Sequence, residues 1–95
     1  MNTLTKTVQQ FGYTDVEAFA KDQAKLFILG KIEEYQNKIM YFEKKYSLKF
    51  KQFKEQLLSL KNDEDFDKED DYMEWRFCIE SFEMYKRELE ELEHC

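Results

Sequence analysis

The chain has no proline, two glycines, two cysteines and one histidine in 95 residues. Each shortage excludes something. Without proline and almost without glycine, a turn-rich β fold lacks the residues its corners require. Two cysteines, Cys78 inside an apolar pattern and Cys95 at the last position, make neither a disulfide framework nor a Cys-x-x-Cys metal pair, and they fit a reducing cytoplasm. No apolar run exceeds four residues, as at Leu26 to Leu29, whereas a spanning helix needs about 20. The N-terminus has no basic segment followed by an apolar one, so neither membrane insertion nor secretion is expected.

Catalytic and cofactor chemistry is equally short of residues. The single histidine, His94, sits at a helix end expected to fray, which leaves a hydrolytic triad without its base. Glu91 and His94 form one Glu-x-x-His, but carboxylate-bridged di-iron bundles need two such motifs and further glutamates. The acidic segment at 62–71 lacks the mid-loop glycine of a calcium loop, and no glycine-rich phosphate loop occurs. The expectation is a non-enzymatic protein with no metal and no cofactor.

What the chain does have is charge and aromatic area. Charged residues make up 38% of it and aromatics 17%, so it carries enough apolar surface to fold and enough charge for solvated helix faces. The net charge of −6 has the wrong sign for neutralising a phosphate backbone, which disfavours nucleic acid. The charge is also uneven: residues 1–60 hold ten lysines against seven acids, and residues 61–95 hold five cations against fourteen acids. Either the two parts attract each other within the fold, or the acidic part meets a basic partner.

Periodicity predicts an all-α protein arranged long-short-long. Residues 1–13 are expected to form a short helix ending near Gly12. Thr14 to Glu17 reads as a capping box that starts a helix over 15–46. Within it, Ile28, Ile32, Tyr35, Ile39, Phe42 and Tyr46 fall on one stripe with the heptad spacing of a coiled-coil seam. Ser47 marks the break. Phe50, Phe53, Leu57 and Leu60 then place a short helix over 50–60, followed by an acidic linker at 62–67. Lysines 44, 45, 49, 51 and 54 surround the break, where they suit the negative end of the long helix. A second long helix is expected over 68–93, with its stripe at Cys78, Phe82, Tyr85, Leu89 and Leu92.

Two helices of about 48 Å and 39 Å exceed the dimensions of a compact 95-residue globule, so an elongated helical hairpin with coiled-coil-like stripes is expected. One short helix cannot cover both stripes. Trp75, Tyr72, Phe77, Tyr41 and Phe27 lie off the counted seams, and some of this aromatic surface is expected to stay exposed as an interface. The strongest site expectation is the junction where Asp63, Asp65, Asp67, Asp70 and Asp71 run into Tyr72 and Trp75, joining steering charge to aromatic anchors; the alternative is that Trp75 belongs to the core and the junction is structural.

Four segments carry a resemblance over most of the chain: LFILGKIEEYQNKIMYFEKKY at 26–46, SLKFKQFKEQL at 47–57, DFDKEDDYMEW at 65–75 and FCIESFEMYKRELEEL at 77–92. In this order they resemble a group of small all-helical prokaryotic proteins encoded beside a short toxin-like protein, for which they are the antitoxin-like partners. The group has a Gly-Met-Ser or Gly-Met-Thr turn before the short helix, where this chain has Ser47, Leu48 and Lys49. The resemblance implies binding and neutralisation of a cognate protein. Periodicity and charge alone imply a helical partner, and self-association into a structural homo-oligomer is the alternative. A DNA-binding autoregulator would draw only on the lysines from 44 to 54, with no recognition helix rich in Arg, Asn or Gln.

Overall fold

A computed structural model describes residues 2–59 and 66–95. Among them the secondary structure is entirely helical: α1 (Thr3–Gln10), α2 (Val16–Tyr46), α3 (Phe50–Ser59) and α4 (Phe66–Glu93). The chain is a rod of 68 × 22 × 18 Å. Its Cα radius of gyration is 20.0 Å, against about 12 Å for a compact chain of this length. The long helices α2 and α4 form an antiparallel hairpin. At one pole, α3 folds back onto α4; at the other, α1 packs on the start of α2.

The helix ends follow from local chemistry. Asn2 caps α1, its side-chain oxygen accepting from the Thr5 amide at 2.8 Å. At the far end, Gly12 adopts φ 96°, the Gly12 amide donates to Gln9 O and the Tyr13 amide reaches back to Val8 O. That pair of bonds is a Schellman motif, and glycine supplies its left-handed position. The cap of α2 is Asp15 rather than Thr14: Asp15 Oδ1 accepts from the Ala18 amide at 2.8 Å. This corrects the expected capping box by one residue. Asp and Thr cap comparably, but only Asp brings a charge to the positive helix end. Glu17 then contributes as a first-turn acid instead of closing a box.

Ser47 ends α2 in the left-handed conformation, at φ 55°. The next helix starts without a side-chain acceptor at Lys49. Gln52, three residues on, takes up the Lys49 amide at 3.1 Å, so half of a capping box suffices. The α4 helix begins at Phe66, two residues before the expected start, with Asp67 and Glu69 in its positive first turn. The remainder of the acidic linker, at 62–65, and Leu60 lie outside the described residues.

Both seams face inward. Ile28 and Phe42 are buried and Ile32, Tyr35, Ile39 and Tyr46 half-buried along α2; Cys78 is buried and Phe82, Tyr85, Leu89 and Leu92 half-buried along α4. The densest packing lies at the α3 pole, where Phe42, Phe53 and Trp75 form a core flanked by Ile39, Tyr46, Leu48, Phe50, Tyr72 and Ile79. Trp75 is the centre. Its ring stacks on Phe42 at 5.5 Å and Tyr46 at 6.2 Å, while Phe50 approaches it edge-on at 5.4 Å.

Candidate interaction surface

The seven residues of the expected junction divide into three groups. Asp63 and Asp65 lie outside the described residues. Asp67 and Asp70 are exposed on the first turns of α4. Asp71, Tyr72 and Trp75 turn inward. Trp75 has 0% exposure, so it is the core residue of the alternative reading and offers a partner no surface, contrary to the expected anchor. Tyr72 is half-buried and stacks on Phe50 at 5.4 Å. Asp71 is the internal acid of a clamp: Lys45 Nζ binds its Oδ2 at 2.6 Å, and the Tyr46 hydroxyl donates to the same oxygen.

The clamp ties the last turn of α2 to α4. Burial disfavours the Asp71 charge, but hydrogen bonds from Lys45 and Tyr46 prevail and hold its carboxyl below the usual carboxylate range. Tyr46 is pushed up to about 12, first by burial and then by its bond to Asp71. Counting the α4 seam backward from Cys78 would have found this group. Trp75 and Asp71 continue the stripe at spacings of three and four, so the sequence places an acid in a seam, where it must be paired.

Removing Trp75 and Tyr72 from the expected exposed aromatics leaves Phe27 at 63%, Tyr41 at 59% and Phe77 at 58%. These belong to a larger surface. Along α4, Phe66, Met73, Phe77 and Met84 are exposed at spacings of seven, four and seven, with Asp70 and Glu80 at the intervening heptad positions. This is a second stripe on the same helix, rotated away from the seam and from the side covered by α3. Tyr35 of α2 bridges to it, meeting Phe77 edge-on at 5.9 Å and stacking with Tyr85 at 6.1 Å.

Two hollows lie along this side. One, of about 300 Å³, is lined by Tyr35, Phe77, Glu80, Ser81, Met84 and Tyr85. The other, of about 410 Å³, is lined by Leu26, Phe27, Gly30, Lys31 and Glu34. Gly30 forms its floor: a Cβ built there would meet nothing within 4 Å. Lysines 31, 38 and 45 recur every seven residues along the same flank of α2, each over an aromatic ring, of Phe27, Tyr35 and Tyr46 respectively. Neither hollow holds a convergent set of titratable groups, and among the described residues no three His, Cys, Asp or Glu side chains gather into a metal site. No described helix is long and apolar enough to cross a membrane.

No protein family, curated protein or solved structure matches this chain.

Proposed function

We propose that this chain is a non-catalytic helical module that binds a cognate protein, acting as the antitoxin-like member of a two-protein pair. The resemblance of the four segments supplies the kind of partner. The observation that carries the binding reading is the first half of α4, where exposed Phe66 and Met73 alternate with exposed Asp67 and Asp70. Such a surface joins negative charge, which steers a basic protein, to apolar side chains that hold it after contact. Asp71, Tyr72 and Trp75 support it from beneath by fixing α4 against α2 and α3.

The test is co-expression with the product of the neighbouring reading frame, followed by co-purification of the two chains. A complex is expected, with relief of growth arrest if that product is toxic. Phe66→Ser combined with Asp67→Asn and Asp70→Asn is expected to weaken it by slowing association and speeding dissociation. Trp75→Ala is the contrasting variant: it should cost the free protein about 3–5 kcal/mol of stability, because it empties the core. Absence of a complex at micromolar concentrations would refute the pairing. Unchanged binding by the triple variant would move the site elsewhere.

A further inference from the structure

The chain exposes 7462 Å², whereas a folded monomer of 11.7 kDa is expected to expose about 5,900 Å². The excess is about 1,600 Å² per chain. Shed by two chains together, it equals a total interface of about 3,200 Å², the size at which obligate homodimers form. The exposed apolar residues are not spread evenly. The hairpin is covered by α3 on one side; away from it, Phe27, Phe77 and Met84 line the two hollows, and Tyr41 is exposed two heptads on from Phe27 along α2.

We propose that a second copy of this chain seats on this open side, giving an antiparallel four-helix bundle. The inference deepens the reading of the chain as a helix-binding module by naming one of its partners. Charge complementarity selects the copy and its orientation. On the open side α2 presents Lys31 and Lys38, while α4 presents Glu80 and Glu88; within one chain Lys31 also reaches Glu34 and Glu80 also accepts from Arg76, both on the surface of their own helices. A like-with-like arrangement, α2 on α2 and α4 on α4, sets these rows against themselves. Placing each α4 on the other copy's α2 sets them against each other.

The register follows from the layers inside one chain, which pair Tyr35 with Phe77 and Tyr85, Phe42 with Trp75, and Lys45 with Asp71. A two-fold axis parallel to the hairpin keeps each layer at its height and makes all neighbouring helices antiparallel. Glu80 of one copy then lies beside Lys38 of the second copy, Phe77 meets its Tyr41, and Met84 enters the hollow over its Gly30. The helix-interior glycine, which leaves open space in the single chain, gains an occupant. Phe66 and Asp67 lie on the N-terminal side of the Lys45–Asp71 layer, beyond the last turn of α2, and Asp70 lies at its edge; all three remain free for a cognate protein.

Sedimentation equilibrium of the purified full chain tests the proposal, with circular dichroism confirming that each variant folds. The wild type is expected at twice the chain mass. Phe77→Glu is expected to weaken self-association about thirtyfold or more while retaining helicity. Lys38→Glu and Glu80→Lys are each expected to weaken it about tenfold, and the double variant to recover it. Recovery identifies the facing pair, since within one chain Glu80 accepts from Arg76 and Lys38 lies over the Tyr35 ring. A wild type that stays monomeric at its highest soluble concentration overturns the proposal. So does a dimer indifferent to all three single substitutions, or a double variant no tighter than the singles. The Phe66, Asp67 and Asp70 variant should dimerise normally, so loss of cognate binding and loss of dimerisation are separate results.

Discussion

Tyr46 and Asp71 show how one buried pair makes stability depend on pH at both extremes. The Tyr46 hydroxyl is raised from about 10 in the unfolded chain to about 12 in the fold. Between these values the unfolded state has lost a proton that the folded state keeps, so its contribution is complete below about pH 10 and lost as pH rises through 12. Asp71 works in the opposite direction. Its lowered carboxyl contributes fully above the usual carboxylate range and loses that contribution as pH falls through its depressed value. Thermal melts across pH should therefore show the wild type losing stability between about pH 10 and 12, with Tyr46→Phe flatter over that window. Identical alkaline profiles would mean that Tyr46 is not held by the clamp. The two cysteines differ at the same scale: Cys78 is buried, with its thiol pushed up by burial, and Cys95 is exposed.

At the scale of the helix, Gly30 is the clearest misfit. It sits in the middle of α2, where glycine costs about 0.5–1 kcal/mol relative to alanine, and its missing Cβ avoids no clash within the chain. Gly30→Ala should accordingly stabilise the chain under conditions where it is monomeric by about that amount, read as a higher urea midpoint with an unchanged slope. A destabilised variant would mean that some contact within the chain needs the space. Most helix limits were legible in the sequence because they rest on local chemistry: Gly12 closes α1, Ser47 breaks α2, and heptad spacing marks the buried side of α2 and α4. The errors have physical causes. Thr14 and Asp15 are adjacent and both can cap, and the charge that Asp15 brings to the positive helix end favours it. A stripe that starts at Cys78 leaves out Trp75 and Asp71, although both continue its spacing. Within that shorter stripe a core tryptophan and a paired acid read as surface features, whereas Asp67 and Asp70 lie off the full seam and are exposed.

Across the whole molecule, order is concentrated at one pole. Phe42, Phe53 and Trp75 form the core at the α3 end, while the opposite end rests on the smaller contact between α1 and α2, on Val8, and on the bond from Lys21 Nζ to Cys95 O at 2.8 Å. Hydrogen exchange should be graded accordingly. Amides around Phe42 and from Trp75 to Cys78 should open only with global unfolding, whereas those of α1 and the last turns of α4 should exchange through local opening. Uniform protection along the rod would contradict this gradient. The opposite charges of the two chain parts are met in part internally, as at Lys45 and Asp71, and the exposed remainder is available to partners.

The contact between Lys21 and Cys95 also places the first turns of α2 beside the end of α4, so both ends of the described chain leave from the same pole. Tension applied across them would not shear the rod lengthwise. It would unzip the hairpin from the weaker pole, breaking one layer at a time and meeting the aromatic cluster around Trp75 last. A molecular motor gripping either end would therefore meet small successive resistances before a single large one.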